Sequence, residues 1–207
     1  MVNYKKVFSM AAVFSDEIRA ELVEVFAKIE QPIVLEVALD EREISKELFA
    51  YVEELSGMTD KITYRKVNGE DAPFVRITTP NFRSFTFHGV PGGTEFTNFV
   101  LAIYHISTGK IELSDNEKST LLAVLGEHQL KLFITLSCGI CPEMVSRLEQ
   151  IALLNPNISV DIYDLFHFMD YRDQHNIMSV PCLIADGTVA FGRMEITEIV
   201  EHLQSPS

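Results

Sequence analysis

The chain has 207 residues, 47% of them hydrophobic and 23% charged, so it has the composition to bury a substantial core and is not a disordered segment. Its 17 basic and 30 acidic residues leave a formal charge of −13 with no Lys/Arg cluster, which excludes the electrostatic footprint of a nucleic-acid binder. No run approaches the ~20 apolar residues of a membrane span, and charges interrupt VFSMAAVFSDEIRAEL too early for a signal peptide, so a soluble, cytoplasmic protein is expected.

In chain order, the first predicted element is an amphipathic helix over residues 16–29 with Ser15 as its cap. Pro32 introduces the strand IVLEVAL, followed by a helix over 43–55 and the strand KITYRKV. A loop holding EDAPFVRIT leads to the strand SFTFHG and a helix over 94–106, which STGK interrupts. The second half repeats this order: a helix over 114–125, the strand KLFITL, a helix over 141–154, the strand ISVDIYD, and a helix near 166–175. SVPCLIAD, the strand TVAF and a helix over 196–203 complete it. Alternating strands and helices imply an α/β fold with parallel pairs in its sheet.

Two stretches align between the halves. LSGMTDKITYRKV parallels LLNPNISVDIYDL, and APFVRIT parallels VPCLIAD, each about a hundred residues apart. One supersecondary unit is therefore expected twice, in segments 1–112 and 113–207, with the boundary near Lys110 to Asp115.

The chemistry concentrates in LSCGICPEMVSRL, which places Cys138 and Cys141 between an apolar strand and a helix. Three readings fit such a pair: a working dithiol, half of a metal site, or two small core residues. A cysteine at a helix N-terminus meets unpaired backbone N–H groups at the positive end of the macrodipole, and both favour the thiolate. Cys138 is in that position, while Cys141 lies one turn further in on the same side and less exposed. As a dithiol, Cys138 attacks a substrate disulfide and Cys141 resolves the mixed disulfide. Pro142 suits the first turn because it lacks an N–H. About forty residues on, SVP precedes another strand, where a cis Val180–Pro181 bond would leave backbone free to pair with an extended substrate. A structural zinc site needs four ligands, but the remaining cysteine, Cys182, stands alone, and His167 and His175 match no zinc spacing. In CLIA, Cys182 reads as a small packed hydrophobe. Met144, Leu148 and Ile151 repeat at helical spacing as core, and Phe166, Phe168, Met169 and Tyr171 read as core and edge packing.

With CGIC and SVP the chain resembles a thioredoxin-fold protein. Its SCGICPEMV, IALLNPNIS, NIMSVPCLIADG, FGRMEITEIV and GVPGGTEFTNFVLAI resemble the N-terminal domain of the flavoprotein component of bacterial alkyl hydroperoxide reductase. The glutaredoxin-like protein disulfide oxidoreductases share its layout. The resemblance implies two tandem thioredoxin-like folds, mixed sheets flanked by helices, with the CxxC only in the second; residues 40–43, the matching place in the first, hold no cysteine. It also implies an acidic residue near the dithiol, matching Glu95 of GTEF. That match is of interest because KLFITL offers no acid to accept a proton from Cys141; as an ordinary residue, Glu95 would complement a helix dipole.

Two departures stand out. Gly139 and Ile140 replace the His-Asn pair usual between the cysteines, and the turn before Arg193 is shorter than usual. The chain also has no GxGxxG for flavin or nicotinamide, so a separate reductase is expected as electron donor. The expected function is thiol–disulfide oxidoreduction on protein disulfides, with Cys138 as nucleophile, Cys141 resolving, Glu95 as proton acceptor, and Gly139, Ile140, Val180 and Pro181 meeting the substrate. No organic cofactor or metal is expected, because the dithiol carries the two electrons. The alternatives are a dedicated electron relay to a peroxiredoxin and a non-catalytic interaction module.

Overall fold

The computed structural model describes residues 13–204. The first half comprises α1 (Asp16–Phe26), β1 (Ile33–Ala38), α2 (Glu43–Ser56), β2 (Ile62–Lys66), β3 (Phe74–Thr79), β4 (Phe82–His88), a 3-10 turn (Gly93–Glu95) and α3 (Phe96–Thr108). The second comprises α4 (Asp115–Leu122), β5 (His128–Ile134), α5 (Cys141–Leu154), β6 (Ile158–Asp164), α6 (Met169–Gln174), β7 (Cys182–Ala185), β8 (Thr188–Phe191) and α7 (Ile196–Gln204).

Local chemistry sets several of these limits. The Ser15 hydroxyl accepts from the Ile18 N–H at the start of α1, and Ser114 with Glu117 forms a reciprocal capping box on α4. Gly109, left-handed at φ 68°, ends α3.

The eight strands of the described residues form one sheet in the order β2-β1-β3-β4-β6-β5-β7-β8. Each half contributes four strands in the same relative order, and β4 joins β6 in parallel through Phe85–Val160 to His88–Tyr163. Strand alternation gives the two faces different chemistry. On one face Leu35, Ile77, Phe85, Val160, Leu130 and Ala185 line up strand by strand and enter a single apolar core running from Phe14 to Leu203. On the other, Arg65, Glu36, Arg76, Thr86, Asp161 and Lys131 make a polar row beside an aromatic row of Phe74, His88, Tyr163 and Phe133. Glu36, fully buried, bonds to both Arg65 and Arg76, which compensates a charge removed from water.

Four sequence expectations need correction. EDAPFVRIT is not all loop: Phe74–Thr79 is β3, with Val75 and Ile77 in the helix-side core. Its Arg76 and Thr78, alternating with these, bond to Glu36 and to the Val34 carbonyl. The helix expected over 94–106 opens as a 3-10 turn. The helix expected to reach 125 stops at Leu122, and β5 starts at His128, where the Asp186 carboxylate accepts from the Gln129 N–H and pairs with the His128 ring. Of the aromatic group, Phe168 is buried and Tyr171 packs beside it, whereas Phe166 and Met169 are exposed.

Candidate functional site

The site lies where β5 ends and α5 begins. Phe133 and Ile134 are fully buried, so the strand is held firmly up to its last residue. A turn follows, closed by the Cys138 N–H to the Thr135 carbonyl at 3.0 Å. Cys138 and Cys141 are joined as a disulfide with their Cα atoms 5.5 Å apart, within the ordinary span of such a bond. The cysteines are unequal: Cys138 is half-buried and Cys141 wholly buried. The Cys141 N–H, one of the donors that a helix start leaves without an intrahelical partner, points at the Cys138 sulfur at 3.2 Å. When the disulfide is reduced, this donor and the helix dipole favour a thiolate on Cys138. Pro142 occupies the first turn, as expected.

Between the cysteines, Ile140 is 52% exposed, and a side chain at Gly139 would meet nothing within 4 Å. The Val180–Pro181 bond is cis, and the Pro181 carbonyl accepts from the Gly192 N–H at 2.9 Å. Val180 is half-buried and, like Leu136, Cys138 and Met194, packs against the main core. Cys182, next in the chain, is fully buried among Phe133, Tyr163 and Ile184, and burial pushes its thiol pKa up to about 11.

The first half covers this helix. α5 packs against β4, the 3-10 turn and α3. Gly93, at φ +55°, lies so close to the Leu136 carbonyl oxygen that an added Cβ would stand 2.5 Å from it. That carbonyl accepts from both the N–H and the hydroxyl of Thr94, at 3.1 and 3.2 Å. Glu95 is fully buried beside this contact. Burial raises its carboxyl pKa, partly offset by hydrogen bonds from Asn98 at 2.9 Å and Thr94 at 3.4 Å. The same Asn98 nitrogen donates to the Pro142 carbonyl at 2.8 Å.

A charged clasp, unmarked in the sequence apart from the i,i+4 spacing of Glu143 and Arg147, ties the turn before α7 to the dithiol helix. Arg147 donates to Glu143, Glu195 and the Met194 carbonyl, and Arg193 donates to Glu143 at 2.9 Å. The Arg193 hydrogen bond leads the interactions that lower the Glu143 pKa.

The matching place in the first half is occupied differently. Arg42, preceding α2, pairs with Asp40 and donates to the Ala72 carbonyl and, across the halves, to the His167 carbonyl. Ala72 precedes Pro73 through a cis bond. Arg42, Asp71, His167, Phe168, Tyr171 and Gln174 line a cleft of about 440 Å³ there. Asp71 accepts from the hydroxyls of Tyr163 and Tyr171, at 2.9 and 2.5 Å, fastening this loop to the second half.

Among the described residues no helix is long and apolar enough to cross a membrane, and no group of three or more His, Cys, Asp or Glu is arranged to hold a metal ion.

Residues 128–204 match the model of the thioredoxin domain family. The chain is 32% identical to the AhpF component of alkyl hydroperoxide reductase from Pseudomonas aeruginosa over 91% of its own length and 37% of that protein. It is 31% identical to an NADH dehydrogenase of Bacillus subtilis over 93% of its length and 38% of that protein. The chain thus spans less than two fifths of these curated relatives. Among solved structures, the N-terminal domain of alkylhydroperoxide reductase AhpF from Enterococcus faecalis superposes with a TM-score of 0.81 at 28% identity, covering 92% of this chain and 99% of that one. A protein disulfide oxidoreductase from Aeropyrum pernix superposes with a TM-score of 0.79 at 21% identity, covering 91% of each chain, a likeness of fold. The chain resembles that N-terminal domain in sequence and architecture, as two thioredoxin-like folds sharing one sheet.

Proposed function

We propose that this double thioredoxin-like module is a thiol–disulfide oxidoreductase that exchanges two electrons with protein disulfides. The observation that carries the reading is the unequal cysteine pair at the start of α5, half-exposed Cys138 facing the Cys141 N–H and Cys141 buried behind it. In the forward direction the reduced Cys138 thiolate attacks a substrate disulfide and expels one substrate thiolate. Cys141 then loses its proton and attacks the Cys138 sulfur, which releases the second substrate thiolate and regenerates the disulfide. Two electrons leave the dithiol, and two protons end on the substrate thiols. Gly139 and Ile140 flank the approach to Cys138, and Val180 with Pro181 shapes the docking of an extended substrate. Glu95 serves as acceptor for the Cys141 proton.

The dithiol is the redox group, so the reading calls for no organic cofactor or metal. The segments 1–112 and 113–207 are the two units of this reading, the first without a CxxC. The physiological setting is the cytoplasm, with a separate reductase as donor. The resemblance to the AhpF component of alkyl hydroperoxide reductase supports a narrower version, in which the module relays electrons from a flavin-dependent reductase to a peroxiredoxin.

The test is reduction of insulin with a dithiol donor by the wild-type protein and by Cys138→Ser. Turnover lost in the variant supports the reading, whereas equal activity of the two proteins overturns it. A Cys141→Ser protein should hold its partner as a mixed disulfide on Cys138 and thereby identify it.

A further inference from the structure

Asn98 lies on α3 in the first half, and the proposed reaction gives it no part. Yet its side-chain nitrogen has two protons and two acceptors: Glu95 Oε2 at 2.9 Å and the Pro142 carbonyl of the dithiol helix at 2.8 Å. The helix carbonyl is acceptor only, so it fixes which end of the amide faces it. Glu95, fully buried, takes its shorter hydrogen bond from this one donor, and its other oxygen receives the Thr94 hydroxyl at 3.4 Å. The bonds from Asn98 link a buried carboxyl in one half to the residue immediately after Cys141 in the other.

We propose that Asn98 is the positioning residue for proton transfer at the dithiol, its amide holding the Glu95 carboxylate against the first turn of α5. The proposal rests on the reading of Cys138 and Cys141 as an exchanging pair with Glu95 as proton acceptor. In the resolving step the Cys141 S–H proton passes to Glu95, the Cys141 sulfur bonds to Cys138, and the Cys138–substrate disulfide breaks with its electron pair on the departing substrate thiolate. A carboxylate that burial penalises needs a donor to remain ionised, and Asn98 supplies one. Thr94 faces it on its own turn; the titratable groups in the first turn of α5 are Cys141 and Glu143, the latter exposed and paired with Arg147 and Arg193; Cys138 lies in the connection before that helix. Losing the amide raises the carboxyl pKa further, so the base is lost on the acid side of its titration and recovered on the alkaline side.

The experiment is single-turnover oxidation of the full chain, reduced beforehand with a dithiol donor, by a small aromatic disulfide whose thiolate absorbs light. The first thiolate released reports attack by Cys138, and the second reports resolution by Cys141. Asn98→Ala should leave the first phase unchanged and slow the second about tenfold on the acid side, with the wild-type rate regained on the alkaline side. Asn98→Ser, which keeps a donor in a shorter side chain, should fall between the two and serves if the alanine variant does not fold. In a Glu95→Gln background, Asn98→Ala should add no further slowing. Slowing by one factor at every pH, or undiminished slowing in the Glu95→Gln background, would overturn the positioning role. The parent reading fails separately: the wild-type protein then releases no thiolate, or Glu95→Gln keeps the wild-type pH profile.

Discussion

α2 and α5 are the same helix used twice, each of 14 residues, and each is followed later in its half by a cis X-Pro bond before a strand. At α5 the N-terminus holds two sulfurs, and the half-buried Val180 precedes the proline. At α2 it holds Asp40 and Arg42, and the guanidinium occupies the carbonyl of Ala72, the residue before that proline. The difference teaches that the backbone does not set the chemistry. In one copy the helix start carries the dithiol, and in the other a side chain fills it and fastens the two halves through the His167 carbonyl. Asp71 acts alike, bonding Tyr163 and Tyr171 of the second half.

The sharpest break of this comparison is in rate. Cys138→Ser should lower disulfide reduction by about a thousandfold or more, the scale on which a nucleophile is lost. Asp40→Ser should leave the rate unchanged, as measured by insulin turnover. Within the active copy, the thiols should also separate. With its pKa pushed up to about 11 by burial, Cys182 should react with an alkylating agent at neutral pH about a hundredfold more slowly in the native protein than after unfolding. Mass spectrometry before and after addition of denaturant checks this.

The sealing role of the first copy is tested by stability. Arg42→Ala removes donors to the Ala72 and His167 carbonyls and should lower unfolding free energy by about 1–3 kcal/mol, read by urea titration, without changing turnover. Asp71→Ala strands two phenol hydroxyls and should cost a similar amount, at the lower end of that range, because Tyr171 is partly exposed.

The smallest effect is in pH dependence. Burial leads the raised pKa values of Glu95 and Asp164, whose ordinary values are 4.5 and 3.8. Each binds its proton more tightly folded than unfolded, so the native state carries more protons between the ordinary and the raised value. Stability from these groups therefore falls as pH rises through that window. Glu95→Gln and Asp164→Asn should each flatten that slope in thermal melts across the acid range.

Much of the active copy was legible in the chain itself. CGIC sits between an apolar strand and a periodic helix, and α5, β6 and β8 occupy the residues their patterns predicted, because local periodicity and helix-start chemistry act over a few residues. β3 was hidden, since Pro73 and the acids before it read as a turn, and the partner of Arg76, Glu36, lies 40 residues away. The candidate residues Cys138, Cys141, Gly139, Ile140, Val180 and Pro181 could be named from local motifs; Glu95 needed the family resemblance. Asn98 had no signal at all, because its partner at Pro142 is 44 residues distant and a lone amide in an apolar helix has no periodic signature. Arg42 was equally silent, reaching 125 residues to His167.

The sequence by itself determined most of the strands and helices, β3 excepted, and where the dithiol stands, for those depend on neighbours along the chain. Only the tertiary structure decided that β4 and β6 merge two folds into one sheet, that α3 and the 3-10 turn cover the dithiol helix, and that Arg42 closes the cysteine-free copy. These are hydrogen bonds and packing between distant segments, and they exist only once the chain has brought those segments together.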